Sequence, residues 1–359
     1  MRVVVDAVPV RASSLAVVVE NLLRGWAEGF PDDELHVVLG DTTELDVPGH
    51  LTLHRVNPTS PSLLGRLRAQ NWLIPGLCRE LGADALVGSI PATTVAPLPC
   101  PRVVLALDLR YALRPEQFAP GARWQRRISY AVGYRQAGAI DCISMRTRDD
   151  LLRAIPHLAS KRVRVALLGA DHVRRWPTRV PGRPYAVAFG QWANKNVALV
   201  VDAWRALADR GPVMPLVIFG IPDGERARLQ AAVDGAGLSQ RVELRSWMSP
   251  AGFQQAFASA SLLVFPSDFE GFGLPAVEAM ALGIPVVVSP DPALVEVTGG
   301  HASVMAGWDA AALAEAVTDA LGRSDKDRVA ATAHAATFTW AGTAASVRAS
   351  IDECRAAAR

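Results

Sequence analysis

VFPSDFEGFGLPAVEAMALGIPVVVSP, residues Val264–Pro290, decides how this chain folds. It leaves an apolar run, Ser261–Phe265, of strand length and ends in a second one, Ile284–Ser289. Between them lie a Pro-Ser turn, a loop with Gly271 and Gly273, and a short helix with Pro275 at its start and Gly283 just past its end. Strand, loop, helix and strand make one βαβ unit. In such a unit the carboxyl edge of the sheet meets the first turn of the helix. The backbone N–H groups there have no intrahelical acceptor and the helix dipole is positive, so an anion such as phosphate is favoured. Gly271 and Gly273 let the main chain approach a diphosphate closely.

Two acidic residues bracket this loop and helix, Glu270 and Glu278, with seven residues between them. Carboxylates repel phosphate, but each accepts two hydrogen bonds from a vicinal diol, and a nucleotide sugar carries diols on both its ribose and its sugar. The charge pattern therefore suits a nucleotide sugar better than a bare nucleotide. Taken singly, Glu278 reads equally well as a solvated helix residue, and the glycines as turn residues. The joint order of strand, EGFG, proline and second glutamate carries the reading.

The segment EGFGLPAVEAMALGIPVVVS resembles the E-x7-E signature of retaining glycosyltransferases with the GT-B fold, in glycosyltransferase family 4, also called glycosyl transferases group 1. FGQWANKNVALVVDAWRAL, Phe189–Leu207, is similar to that family's strand, phosphate-binding loop and helix. LVIFG, Leu216–Gly220, is similar to its next strand, and RVELRSWMSPAGFQQAFASASLLVFPS to the strand and helix ahead of the signature. The likeness runs almost continuously through the second half and more loosely through the first. It implies an α/β chain of two Rossmann-like parallel-sheet domains facing across a cleft. Residues 1–175 would form an acceptor-binding domain, residues 184–338 a nucleotide-sugar-binding domain, and residues 339–359 a helix that crosses back onto the first.

The resemblance also implies roles. Glu270 orients the sugar hydroxyls and Glu278 the ribose diol, while the amides of Phe272, Gly273 and Leu274, beside Gly271, meet the phosphates and sugar. Arg245 or Ser246 stands where relatives hold the base, and Gly190 ends the strand before the phosphate loop. Relatives grip the diphosphate with an arginine just after that glycine and a lysine a few residues on. Here the lysine is Lys195 and the arginine position holds Gln191, so one charge is missing, with Arg245 or an arginine of the first domain as a substitute. Relatives end a central first-domain strand with His-Asp; this chain has Leu107 and Asp108, and Asp108 either acts near the acceptor or caps the following turn. Ser13 and Ser14 replace a glycine pair in the N-terminal loop, which makes hydroxyl contacts to acceptor or phosphate an expectation.

These features lead to a retaining, metal-independent hexosyltransferase. It would move sugar from a nucleotide-diphosphate sugar, as co-substrate rather than cofactor, to a hydroxyl on a polysaccharide, glycolipid or natural product. The sequence offers no convincing nucleophile for a covalent intermediate, and because both glutamates lie on the donor side in relatives, the resemblance implies that they do not form a glycosidase pair. Front-face transfer follows, with the departing phosphate oxygen taking the acceptor proton. The alternative is an accessory protein that binds nucleotide sugar and turns over poorly, motivated by Gln191 and Leu107; a GT-B epimerase of free nucleotide sugars is a further rival. A nicotinamide-dependent dehydrogenase is excluded, because VVVDAVPVRASS after the first strand has no glycine for the G-x-G-x-x-G turn.

Bulk properties agree. The 359 residues suit two domains of ~150 to 180 residues, and 50% are hydrophobic without any run reaching the ~20 of a spanning helix. With no signal-peptide pattern at the start, a cytoplasmic location is expected. Cys78, Cys100, Cys142 and Cys354 show no CxxC spacing, which points to reduced thiols and no metal site. The net charge of +2 hides a cationic block: residues 102–183 hold seventeen basic and six acidic side chains. Within it GARWQRRISYAVGYRQ places Trp124, Ile128 and Ala131 on one helical stripe beside arginines. The stripe suits a lipid-linked or anionic acceptor and peripheral contact with the inner membrane face, against the plain alternative of a solvated helix face. Nucleic acid is not expected, since no binding motif accompanies the charge.

Overall fold

The structure is a computed structural model that describes residues 1–11, 14–40, 43–56, 63–180, 182–211 and 213–358. The chain divides into two compact units, Met1–Gly169 with Thr339–Arg359, and Ala170–Phe338. The division thus falls ahead of the proline- and arginine-rich stretch 176–184.

The first unit is built on seven strands: β1 (Arg2–Ala7), β2 (Glu34–Gly40), β3 (Thr52–Val56), β4 (Ala85–Gly88), β5 (Arg102–Ala106), β6 (Ala139–Cys142) and β7 (Arg162–Val165). They lie in the order β3-β2-β1-β4-β5-β6-β7, and every pair is parallel. Central strands such as VVVDA and RVVLA are buried along nearly their whole length, as expected when helices cover both faces of a parallel sheet. The helix Ser14–Gly29 turns Val18, Val19, Leu22, Leu23 and Trp26 inward at helical spacing. The C-terminal helix Trp340–Ala358 packs against it. Their approach is close at Gly25, where an added Cβ would sit 2.4 Å from the backbone carbon of Trp340.

Two polar contacts fix the same C-terminal helix. Arg348 Nε donates to Asp33 Oδ2 over 2.9 Å, and Asp33 also accepts from Trp26 Nε1 at 3.0 Å and from the N-terminal amine. Burial works against charge on Asp33, but the bonds from Arg348, the amine and Trp26 outweigh it and hold the carboxyl below its ordinary range. Further along, Ser350 Oγ donates to Asp141 Oδ1 at 2.7 Å. Asp141 lies inside β6, where desolvation pushes its carboxyl up to about 7 against the opposing bond from Ser350.

The second unit has six strands: β8 (Ala186–Phe189), β9 (Leu216–Phe219), β10 (Val242–Leu244), β11 (Leu262–Phe265), β12 (Val286–Val288) and β13 (Ser303–Val304). Their order is β10-β9-β8-β11-β12-β13, again all parallel. The Val264–Pro290 stretch is therefore strand, helix (Leu274–Ala281) and neighbouring parallel strand. An aromatic group made of Phe189, Phe219, Phe253, Phe257, Phe265 and Trp176 fills the region below the ends of β8 and β11. The four cysteines are free thiols, and among the described residues no helix is long and apolar enough to cross a membrane.

Candidate functional site

The strand order reverses direction between β8 and β11: from β8 the chain builds outward to β9 and β10, and from β11 to β12 and β13. Loops leaving the carboxyl ends of two such strands part to opposite sides, and the gap between them is where open α/β sheets bind ligands. The two loops here are Gly190–Asn196 after β8 and Pro266–Gly273 after β11, the segments that sequence reasoning singled out.

Side-chain amides tie these loops together. Asn194 Nδ2 donates to Ser267 Oγ at 2.8 Å and to the Phe269 carbonyl at 2.9 Å, and the Asp268 N–H returns to the Asn194 carbonyl at 3.0 Å. Asn196 takes the left-handed conformation, φ 52° and ψ 48°, at the mouth of the Val197–Arg210 helix. Asparagine tolerates that region better than other side chains, and its Nδ2 bonds the Pro266 carbonyl at 2.9 Å. Ser289, after β12, donates its hydroxyl to the Ser267 carbonyl. The loops are thus held by buried bonds rather than left to solvent.

This frame brings Lys195 and Glu270 together. Lys195 Nζ donates to Glu270 Oε1 over 2.5 Å, with side-chain exposures of 9% and 15%, and the ammonium also lies 4.4 Å from the centre of the Phe265 ring. Asn194 adds a longer bond of 3.4 Å to the same oxygen. A cation and a carboxylate thus stand side by side at the switch point, one suited to phosphate and the other to sugar hydroxyls.

Gly273 caps the helix that follows, at φ +93°. The conformation demands glycine, and a Cβ there would meet Leu294 Cδ2 at 2.3 Å, so that methyl would also have to move. The amide of Leu274, first in this helix, has no intrahelical partner, and Pro275 has no N–H to leave unsatisfied. Phe272 is buried and packs edge-on against Phe338 at 5.9 Å, which fixes the loop from below. Gly271 precedes it in the same loop.

Glu278, one turn into the helix, is buried rather than solvated. His172 Nε2 donates to its Oε1 at 2.9 Å. His172 sits on a short 3-10 helix, Asp171–Arg175, and its ring stands edge-on to Trp176 at 5.6 Å.

The other expected residues are placed as follows. Gly190 closes β8 and its N–H bonds the Phe219 carbonyl at 2.8 Å. Gln191 follows, with its side-chain carbonyl oxygen buried and without a hydrogen-bond partner. Arg245 forms a two-pronged pair with Glu243, 2.7 and 3.0 Å, which holds the glutamate's carboxyl below its usual range. Ser246 accepts from Arg226 at 2.9 Å and donates to Asp223 at 3.3 Å. In the first unit Asp108 Oδ1 accepts from the Arg110 N–H at 2.8 Å, the cap of the turn after Leu107. Ser14 begins a helix and is exposed, while Ser13 lies outside the described residues. Among the described residues no group of three His, Cys, Asp or Glu side chains is arranged to hold a metal.

Sequence reasoning missed His172, Asn194, Asn196 and Ser267. Only the pair of asparagines flanking Lys195 gave a local signal, since asparagine side chains commonly bond nearby backbone in turns.

Comparison with known proteins agrees with this geometry. Residues 183–323 match the family model described as Glycosyl transferases group 1. The chain is 28% identical over 291 residues to an MMP alpha-(1->4)-mannosyltransferase of Mycolicibacterium hassiacum, which covers 78% of this chain and 63% of that protein. It is 30% identical over 221 residues to a GDP-mannose-dependent alpha-(1-6)-phosphatidylinositol dimannoside mannosyltransferase of Mycobacterium tuberculosis, covering 61% of this chain and 54% of the relative. The chain therefore spans between half and two thirds of the length of these two relatives. Among solved structures, sucrose-phosphate synthase from Thermosynechococcus elongatus superimposes with a TM-score of 0.79 at 16% identity, covering 99% of this chain and all of that one, a likeness of fold. Residues 183–323 are thus similar to the glycosyl transferases group 1 family, and the two parallel-sheet units give the chain the GT-B fold.

Proposed function

We propose that this chain is a glycosyltransferase that moves a sugar, with retention of anomeric configuration and without a metal, from a nucleotide-diphosphate sugar to a hydroxyl acceptor. The observation that carries the reading is the buried Lys195–Glu270 pair at the switch point, beside the glycine-capped helix that holds Glu278. The diphosphate lies against the amides of Phe272, Gly273 and Leu274, where Lys195 offsets the charge that grows as the leaving group departs. Glu270 accepts hydrogen bonds from the sugar hydroxyls and Glu278 from the ribose. The acceptor hydroxyl attacks on the face from which the diphosphate leaves, and the departing phosphate oxygen takes its proton. The likeness to a GDP-mannose-dependent mannosyltransferase makes GDP-mannose the first donor to test.

The acceptor we propose is lipid-linked or anionic. Helix Pro120–Gln136 supports this, because Trp124 and Ile128 stand 64% and 53% exposed among Arg123, Arg126 and Arg127. An aromatic and an aliphatic side chain beside cations suit an anionic bilayer surface.

A second reading, a nucleotide-sugar-binding accessory protein with little turnover, is favoured by one finding: Gln191 holds the arginine position and Arg245 is paired with Glu243. Release of nucleoside diphosphate from GDP-, UDP-, ADP- and dTDP-sugars, with and without a lipid or polysaccharide extract, separates the two. Acceptor-dependent release supports the transferase; tight binding without release in any pairing supports the accessory protein.

A further inference from the structure

Glu278 is enclosed, and its Oε1 is already engaged by an imidazole from a segment 106 residues away in sequence. Both side chains are nearly fully buried, with exposures of 4% for His172 and 7% for Glu278. A buried carboxylate is held by what bonds it, because leaving it unpartnered away from water is costly. An ionised carboxylate only accepts, so the hydrogen between the two lies on Nε2, which fixes the imidazole tautomer. The ring is braced in turn: Trp176 stands edge-on to it, and Trp176 packs against Phe253 and Phe257 of the aromatic group under the loops.

We propose that His172 is a positioning residue for nucleotide recognition. It holds Oε1 of Glu278 and so presents Oε2 to the ribose diol, which makes the His172–Glu278 pair the device that distinguishes ribose from deoxyribose. The inference rests on the reading of Glu278 as the ribose-binding carboxylate and adds a residue that lies outside the signature. His172 touches no reacting atom; it acts through the orientation of Glu278. A carboxylate restrained in one rotamer gives a hydroxyl a prepaid acceptor, whereas a carboxylate free to rotate loses part of that bond to ordering.

The test compares dissociation constants of UDP, GDP and ADP with those of their 2′-deoxy counterparts, by calorimetry, for wild type, H172F, H172Q and E278Q. H172F keeps a flat ring against Trp176 and removes the donor; H172M replaces it should that variant fail to fold. For the diphosphate that binds best, the ribose form should bind wild type about tenfold or more tightly than the deoxy form, as expected for a hydrogen bond to a charged group. In H172F that ratio should fall to within about twofold of unity while deoxy affinity stays near wild type. H172Q, whose amide can donate in place of Nε2, should keep most of the ratio. An undiminished ratio in H172F, with the ratio lost in E278Q, overturns the role of His172 and leaves that of Glu278 standing. A ratio retained in E278Q, or no binding of any of the diphosphates by wild type, overturns the ribose reading on which the proposal rests. Equal loss of ribose and deoxy affinity in H172F marks a merely structural residue and also overturns the proposal.

Discussion

Replacing Lys195 with methionine keeps an unbranched side chain of similar length and removes its charge, which isolates the ion pair. Lys195 is 9% exposed and Glu270 15%, and their polar atoms are 2.5 Å apart, so the loss strands a largely buried carboxylate. Breaking such a pair by removing one partner costs about 3 to 5 kcal/mol, and the lost contact with the Phe265 ring adds about 0.5 to 2. The remaining bond from Asn194 to Glu270, 3.4 Å long, offsets part of this. A net loss of about 3 kcal/mol is expected, and in a unit the size of Ala170–Phe338 that lowers Tm by roughly 6 to 12 °C. Scanning calorimetry of wild type, K195M, E270Q and the double variant measures it. The double variant has no stranded charge, so it should recover at least half of the K195M loss while donor affinity stays low. A K195M transition within about 1 °C of wild type, or losses in the double variant that simply add, would refute the argument that the two groups are energetically coupled.

Other expectations follow from particular positions. G273A places a side chain at φ +93° and against Leu294, so it should cost about 1 to 3 kcal/mol and weaken donor binding at least about tenfold, read by thermal unfolding and calorimetry. G25A should cost about 2 kcal/mol, because its Cβ forces the C-terminal helix away at Trp340; limited proteolysis of that helix should speed up in parallel. Asp141 gives a pH dependence. Its carboxyl titrates near 3.8 when unfolded and about 7 when folded, so its contribution to stability is complete at acid pH and is lost as pH rises through about 7. D141N has no proton to lose, and between about pH 5 and about pH 8 it should gain roughly 2 kcal/mol relative to wild type. A D141N-minus-wild-type difference that is flat across that interval would contradict the assignment.

Much of this architecture was legible because its causes are local. VFPSDFEGFGLPAVEAMALGIPVVVSP carries its own strand lengths, its Pro275 start and its Gly283 stop, and the structure places the helix at Leu274–Ala281 between β11 and β12. In the first unit the apolar stretch ALVG is strand along its whole length, Ala85–Gly88. The stretches that begin at Arg102 and Ala139 leave the sheet at Ala106 and Cys142, since an apolar run does not reveal where pairing stops. Partnerships between distant segments were not legible. Nothing around His172 announces Glu278, and only the fold brings them together. Arg245 is instructive in another way: residues two apart lie on the same side of an extended chain, so Glu243 was its natural partner in the sequence itself. Asn194 and Asn196 read as ordinary loop residues until the turn they sit in is seen to close on Pro266–Phe269.

In the proposed function a nucleotide sugar lodges at the amino end of the Leu274–Ala281 helix, with an acidic side chain on each of its diols. Calorimetric titration of the best-binding donor into wild type and into an E270Q/E278Q variant tests this placement. Affinity should fall by about a hundredfold or more, two charge-assisted hydrogen-bond sites being lost, while the variant remains folded. Unchanged affinity in that variant would contradict it.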